Sequence, residues 1–120
     1  MNISKFTQKS VQAVQDLEKV AYEYGNQEIE EEHLLYALLT QEDSLILKLI
    51  EKMEIQKEYF IDTVKKALDA KVKVSGGELR FGQYLNKALV SAEDEAKAMG
   101  DEYVSVEHLF LSMLKNPSPS

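Results

Sequence analysis

Apolar residues recur every three or four positions along most of the chain, which is the spacing of one buried face on an α-helix. Glycines and short polar turns divide this pattern into separate stripes. The stripes predict an all-α fold of six helices, over about residues 7–24, 30–40, 45–53, 56–71, 83–99 and 105–115. The segment 71–77 has neither a helical stripe nor an alternation long enough for a strand to pair, so we expect a linker there.

Residues at the predicted helix ends match the known preferences of helix caps. We expect Thr7 to cap the first helix, Gly25 to end it in a left-handed conformation, and Ile29 to fill the core beyond it. Ser105 should cap the last helix, whereas Gly82 offers no capping side chain to the fifth. In the third and fourth helices, the residues expected to face inward are Leu45, Leu49, Ile50, Tyr59, Phe60, Val64, Ala67 and Leu68.

The chain uses one pattern twice. The segment that begins Glu32-His33-Leu34 returns seventy-five positions later as Glu107-His108-Leu109. The same offset holds upstream without a gap, and it relates Phe6 to Phe81, Gln8 to Gln83, Ala13 to Ala88, Glu18 to Glu93, Ala21 to Ala96 and Gly25 to Gly100. A constant offset over more than thirty residues indicates an internal duplication. The predicted fold is therefore a duplicated two-repeat bundle with the two long helices at its centre.

The offset also sets the expected organisation of a single domain over residues 1–120. It comprises repeat one over 1–71, a linker over 72–78, a partial repeat two over 79–116 and a frayed tail over 117–120. A complete second copy would end near residue 150, so we expect the second repeat to be truncated. Truncation predicts exposed apolar residues on the last two helices, with Leu111 and Met113 as candidates.

Charge and composition narrow the class of partner. The chain has 14 basic and 21 acidic residues, a net charge of −7, which argues against a nucleic-acid partner because phosphate binding needs clustered Lys and Arg. It has no cysteine, and no apolar run approaches the length of a membrane span or of a signal-peptide core. The expectation is a soluble cytoplasmic domain that binds neither nucleic acid nor membrane.

The candidate chemical groups form no catalytic constellation. His33 and His108 lack the His-Glu-x-x-His spacing and the third ligand of a metal site, so each is expected to be partly buried and hydrogen-bonded across its helix start. The run Glu30-Glu31-Glu32 is expected to be an exposed helix start, where the helix dipole favours acids. Gly76-Gly77 lacks the following Lys-Ser/Thr of a phosphate loop. We therefore expect no catalytic residues, no metal and no cofactor in this chain.

The duplicated motif resembles the N-terminal domain of the Clp family of AAA+ unfoldases, and most closely its ClpB disaggregase branch. The segments that carry the resemblance are Lys5-Phe6-Thr7, Gly25-Asn26-Gln27-Glu28-Ile29, Glu32-His33-Leu34-Leu35, Val74-Ser75-Gly76-Gly77 and the run from Gly100 to Leu109. The resemblance implies a non-catalytic, substrate-receiving domain of a full-length ATPase that uses ATP and Mg²⁺. Its implied partners are unfolded or aggregated proteins, the AAA+ ring of the same protein, which is hexameric in the family, and adaptor proteins.

The resemblance also implies a set of site residues. Family members implicate the positions of Thr7, Asp101 and Glu107 in handling substrate or coupling to the ring. We further expect apolar residues of the two long helices to line a surface groove beside them. The resulting predicted substrate site is Thr7, Val11, Leu85, Leu89, Asp101 and Glu107.

Two other functions compete with this one. In a ClpC-type domain, the glutamates of the two Glu-His-Leu motifs, here Glu32 and Glu107, would bind phosphoarginine, and protease adaptors would dock. ClpC-type motifs usually carry Gly-Thr before Glu-His, whereas this chain has Glu30-Glu31 and Ser105-Val106, and the extra acids would repel a phosphate. That difference favours the disaggregase. A free-standing helical enzyme is the third alternative, and the lack of a catalytic constellation speaks against it.

Overall fold

The computed structural model describes residues 3–119 and is predominantly α-helical, as predicted. A short 3₁₀ helix (Ile3–Lys5) precedes α1 (Gln8–Gln15), α2 (Leu17–Glu23), α3 (Glu31–Leu39), α4 (Leu45–Lys52), α5 (Lys57–Asp69), α6 (Gln83–Ala98) and α7 (Val106–Lys115). Two strands of two residues each, β1 (Glu28–Ile29) and β2 (Arg80–Phe81), complete the described part. Within residues 3–119, none of the helices has the length and apolar character needed to cross a bilayer.

The predicted first helix is divided at Asp16 into α1 and α2, so the six predicted helices appear as seven segments. Asp16 keeps helical dihedral angles, and its N–H still donates to the Gln12 carbonyl at 3.0 Å. The Val20 N–H donates to the Asp16 carbonyl, also at 3.0 Å. The hydrogen-bond ladder therefore continues across a residue with weak helix propensity, and α1 with α2 corresponds to the one predicted helix.

The predicted caps are confirmed. The Thr7 side chain accepts a hydrogen bond from the Ser10 N–H, while Gly82 caps α6 without a side-chain bond. Gly25 and Gly100 both have positive φ angles, of 70° and 74°. Only a residue without Cβ adopts that conformation at no steric cost, so both copies end their long helix in the same way.

The strand pairing was not predicted. β1 and β2 are parallel, with Ile29 opposite Phe81, and an isolated parallel bridge joins Phe6 to Val104. The seventy-five-residue offset relates Ile29 to Val104 and Phe6 to Phe81, so the duplicated chain makes the same bridge twice. Each bridge joins the connector of one repeat to the helix start of the other. Strands of two residues are too short to leave an alternating pattern in the sequence.

The core is built from both repeats, and α6 packs against α7 while α3 packs against α5. Its fully buried large side chains include Leu17, Ile29, Leu34, Leu38, Ile46, Ile50, Leu68, Leu85, Leu89 and Leu109. Burial of each such side chain contributes about 1.5–3 kcal/mol to folding. The expectation that Ile29 fills the core is confirmed.

Three of the residues expected to face inward do not, and Ala67 on α5 is one of them. Leu45 and Tyr59 are exposed, at 40% and 68% of their surface. The Ser44 side chain caps α4 by accepting from the Leu47 N–H, which fixes the phase of the helix. Ile46 and Ile50, one turn apart, therefore occupy the core face and turn Leu45 outward.

The last helix corrects one further expectation. Met113 is buried, with only 8% of its surface exposed, because it follows the buried Leu109 by one helical turn on the same face. Leu111 is half-buried. Large apolar residues are instead exposed at Val90 (48%), at Met99 where α6 ends (59%) and at Leu114 (60%).

Candidate functional site

Each repeat has a histidine that fixes a helix start. The Glu30 N–H donates to His33 Nδ1 at 2.8 Å, and His33 Nε2 lies 2.9 Å from Asn26 Oδ1. In the second copy, the Ser105 N–H donates to His108 Nδ1 at 2.9 Å, and His108 Nε2 lies 2.9 Å from Asp101 Oδ2. Because Nδ1 accepts in both copies, the neutral ring carries its proton on Nε2. The expected hydrogen bonds across both helix starts are confirmed, and both histidines are more completely buried than expected.

The first histidine is held neutral. Burial, and next the positive charge of Lys71, lower the pKa of His33 to about 4. Both of its ring nitrogens are occupied by hydrogen bonds inside the protein. Among residues 3–119, no three His, Cys, Asp or Glu side chains come together as a metal site.

The acidic run at the start of α3 is less exposed than predicted. Lys71 Nζ lies 2.9 Å from Glu30 Oε2 and 3.3 Å from Glu32 Oε1, and its own side chain is only 14% exposed. Burial alone would lower the pKa of Lys71, but the two carboxylates raise it above its ordinary value. Glu31 is buried, with 7% of its surface exposed. The prediction of an exposed helix start is wrong for Glu31, because α4, α5 and α7 cover this side of α3.

A shallow groove at the start of α1 brings together two of the predicted site residues. It encloses about 190 Å³ and is lined by Thr7, Lys9, Gln41, Asp43, Leu45, Ser105, Val106 and Glu107. Thr7 comes from the first repeat and Glu107 from the second, so the site exists only in the folded pair of repeats. We call it the Thr7–Glu107 groove.

The loop between α3 and α4 forms one wall of this groove, and the sequence analysis did not predict it. Gln41 Nε2 donates to the Lys9 carbonyl at 2.8 Å, and Lys9 Nζ donates to the Glu42 carbonyl at 2.7 Å. Asp43 at the turn pairs with Lys48 at 2.7 Å, and Lys48 lowers the pKa of Asp43. These polar residues have no helical spacing that would have connected them to Thr7.

The other predicted site residues are dispersed. Asp101 is exposed next to the groove-lining helix start, where it binds His108. Val11 lies one turn after Thr7, half-buried against the core. Leu85 and Leu89 have no exposed surface, so the prediction that they line a surface groove is wrong. They lie at the centre of the apolar face of α6 that packs on α7, so they belong to the core.

A second groove occupies the repeat-related position but has different chemistry. It encloses about 440 Å³ and is lined by Glu28, Glu30, Arg80, Phe81, Gly82, Gln83, Tyr84, Ser118 and Pro119. The offset relates Gly82 to Thr7 and Tyr84 to Lys9. Glu32, the counterpart of Glu107, does not line this groove and instead pairs with Lys71. The two motif glutamates therefore lie in unlike surroundings.

Comparisons with known proteins agree with this duplicated architecture. The family described as the Clp repeat (R) N-terminal domain matches residues 5–119. Among curated proteins, the chaperone protein ClpB of Nitratidesulfovibrio vulgaris is 39% identical over 123 aligned positions, which cover 98% of this chain and 14% of that protein. The chain thus spans about one-seventh of the length of this relative.

Solved structures share the fold at low sequence identity. The Hsp104 N-terminal domain from Candida albicans has a TM-score of 0.83 at 20% identity, over 93% of this chain and 75% of that one. A complex of the ClpV N-domain with a VipB peptide has a TM-score of 0.74 at 20% identity, over 94% and 69%. From the family match over nearly the whole sequence, together with the repeated helix starts, we conclude that this chain belongs to the Clp repeat N-terminal domain family.

Proposed function

We propose that this chain is the substrate-recognition domain of an ATP-dependent protein disaggregase of the cytoplasm. In this proposal it binds unfolded or aggregated polypeptide and passes it to AAA+ rings, hexameric in the family, that lie outside the chain. The domain itself performs no catalysis. ATP and Mg²⁺ belong to the rings, and adaptor proteins are further candidate partners.

The observation that carries this proposal is the convergence of both repeats on the Thr7–Glu107 groove. The groove offers partly apolar walls through Leu45 and Val106, with polar anchors at Thr7 and Glu107. An unfolded polypeptide presents apolar side chains and unpaired backbone groups, so a shallow strip with polar edges suits it. We assign Val11 and Asp101 to the margins of the groove. The Val11 N–H donates to the carbonyl of Thr7, which lines the groove, and Asp101 bonds His108, which follows the groove-lining Glu107.

Two further observations support a polypeptide ligand. The ClpV N-domain, which shares this fold, has been solved in complex with a VipB peptide. The net charge of −7 favours basic, apolar segments, and the resulting attraction weakens as salt screens it. A groove of about 190 Å³ buries little area, so binding should be weak enough for release to a ring.

Chemical-shift mapping with a permanently unfolded client tests the proposal. We expect shifts at Thr7, Lys9, Ser105 and Glu107, and we expect Glu107→Gln to weaken binding about three- to tenfold by removing one anchoring charge. Glu102→Gln is the matched control, because it removes an exposed carboxylate that does not line the groove. Shifts confined to the opposite face of the domain would contradict the proposal.

A second probe separates the disaggregase from the ClpC-type alternative. One peptide is prepared with arginine and again with phosphoarginine at the same position. We expect the unmodified peptide to bind at least as well, because Glu30 and Glu31 adjoin Glu32, Asp43 lines the groove with Glu107, and these acids would repel a phosphate. A preference of tenfold or more for the phosphorylated peptide, lost in Glu32→Gln or Glu107→Gln, would favour the alternative.

A further inference from the structure

A mainly apolar cavity beside the start of α3 is separate from the Thr7–Glu107 groove. It lies among α3, α4, α5, α7 and the segment that follows α7, and it encloses about 300 Å³. Its apolar walls include Leu35, Ile50, Phe60, Phe110, Met113 and Leu114. That volume is at the lower end of the range for ligand pockets and fits one or two side chains.

Two carboxylates lie in this otherwise apolar wall. Glu31 and Glu32 line the cavity, whereas α4, α5 and α7 contribute only apolar side chains to it. Glu31 Oε2 and Glu32 Oε1 are buried and have no hydrogen-bond partner among residues 3–119. Glu32 still has Lys71 at 3.3 Å, but Glu31 is 93% buried by area and forms no ion pair with a basic side chain of residues 3–119. A buried acceptor without a partner costs free energy that a ligand donor could recover.

The duplication shows that folding does not require a carboxylate at this position. Val106 occupies the place of Glu31 in the second repeat, and it is buried to the same degree, with 5% of its surface exposed. The same helix start thus forms with an apolar side chain. Glu31 has one further contact, since its carboxylate accepts a hydrogen bond from the backbone N–H of Ser118.

We propose that this cavity binds an apolar polypeptide segment through one lysine side chain, whose ammonium group pairs with Glu31 Oε2. Lysine fits better than arginine because its three donors can bond single oxygens on Glu31 and Glu32, whereas a planar guanidinium is best paired with both oxygens of one carboxylate. The aliphatic stem of lysine and its apolar neighbours would cover the walls at Ile50 and Phe110. This proposal rests on the proposed function, from which it takes polypeptide as the ligand. It adds a second binding site to the Thr7–Glu107 groove.

Proton binding at Glu31 makes this site sensitive to pH. Burial raises the pKa of Glu31 to about 7; the Ser118 N–H lowers it and the charge of Glu32 raises it again. The other charged groups nearby are Glu30 and Lys71, which pair with each other. An ammonium group binds the ionised form, so lysine binding releases a proton. The dissociation constant should therefore rise about tenfold between pH 8 and pH 6.

The test uses a blocked peptide in which one lysine lies between leucine and phenylalanine, and a second peptide with norleucine in place of lysine. Binding is measured by calorimetry and by chemical-shift mapping at pH 6 and pH 8. We expect shifts at Leu35, Phe110 and Met113, and about tenfold weaker binding of the norleucine peptide at pH 8. Equal affinity of the two peptides would overturn the proposal.

Variants of Glu31 test whether its carboxylate supplies the charge that binds lysine. Glu31→Gln keeps the shape of the side chain and should remove both the preference for lysine and the dependence on pH. Glu31→Val, which copies the second repeat, should do the same if the first variant fails to fold. Glu51→Gln, an exposed carboxylate on α4, is the matched control and should bind like the parent. An undiminished lysine preference in folded Glu31→Gln would sink the proposal.

The experiments can reject the proposed function and this inference independently of each other. Lysine-peptide shifts confined to the Thr7–Glu107 groove would overturn the cavity site and leave substrate recognition intact. Absence of binding by either peptide would overturn the cavity site alone, because the unfolded client still tests the groove. Failure of the client to bind, with lysine-selective binding in the cavity, would retain this site and reject the groove.

Discussion

The two histidine-anchored helix starts share their backbone geometry and differ in their surroundings. In the first, Asn26 is buried and also donates from Nδ2 to the Val72 carbonyl at 3.1 Å. In the second, Asp101 is exposed and binds only the His108 ring among the hydrogen bonds of the described side chains. The difference shows that one motif can fix a helix start either inside the protein or at its surface. Water can replace a lost partner only in the second case.

The two repeats also differ at the residue that follows each N-cap. Glu31 in the first repeat and Val106 in the second are both buried, but only Glu31 introduces an ionisable group. The first repeat therefore combines a buried histidine, a buried carboxylate and the Glu30–Lys71–Glu32 ion pairs at one helix start. Such a concentration of polar groups is costly for folding, and it is the kind of place where binding sites are found.

Replacement of the histidine partners Asn26 and Asp101 by alanine should have the largest effect on stability. Asn26→Ala leaves the buried His33 Nε2–H without its partner and removes the bond to the carbonyl of the exposed Val72, and we expect a loss of about 2–3 kcal/mol in the free energy of unfolding. Asp101→Ala should cost about 0.5–1 kcal/mol, because the Asp101 side chain is half exposed and water can take the place of its carboxylate. Urea denaturation of both variants measures the difference. Equal losses would mean that the two helix starts are energetically alike.

Titration should separate the two buried groups of the first repeat. His33, with its pKa lowered to about 4, makes the folded state gain stability as pH rises from about 4 to 6.5, because the unfolded chain binds the extra proton there. Glu31, with its pKa raised to about 7, makes stability fall as pH rises from about 4.5 to 7. The two slopes oppose each other in the parent protein.

In the Glu31→Gln variant, the contribution of His33 to the pH dependence of stability should no longer be opposed by that of Glu31. Relative to the parent, we expect the variant to gain about 1–2 kcal/mol of stability between pH 4.5 and pH 7, after allowance for solvent near the carboxylate. The difference between the two proteins cancels the titration of every other group. Urea midpoints at a series of pH values provide the measurement, and parallel curves for the two proteins would show that Glu31 titrates normally.

The sequence was sufficient for the helices and for the duplication, because both depend on local spacing. The cap at Thr7, the left-handed Gly25 and the buried His33 all follow from residue type and position. It was insufficient for Leu45, because helix phase depends on which residue supplies the cap. Asp43 and Ser44 are both residue types that cap helices, so residue type alone does not tell which of them caps α4.

The site was less predictable than the fold, because it depends on how the two repeats meet. Leu85 and Leu89 have the spacing of any apolar helix face, and the sequence does not say whether that face meets solvent or α7. Glu31 belongs to an acidic run that reads as a solvated helix start, yet three helices cover it. Comparison of Glu31 with its repeat partner Val106 was the available signal, since equivalent positions tend to have equal burial.

The smallest effect concerns the caps of the two long helices, where a capping side chain can be removed from one repeat and added to the other. Thr7→Gly removes the bond from the Ser10 N–H and should cost about 0.5 kcal/mol, since glycine is itself a fair N-cap. Gly82→Ser supplies the missing capping oxygen, yet a Cβ there would lie 2.8 Å from Glu28 Oε1 and 3.3 Å from the Ile29 carbonyl oxygen. The Glu28 side chain can move, but the Ile29 oxygen belongs to the backbone that bonds the Gly82 N–H at 2.8 Å. We therefore expect Gly82→Ser to lower stability by up to about 1 kcal/mol, and thermal melting that showed a gain would mean that this crowding relaxes at little cost.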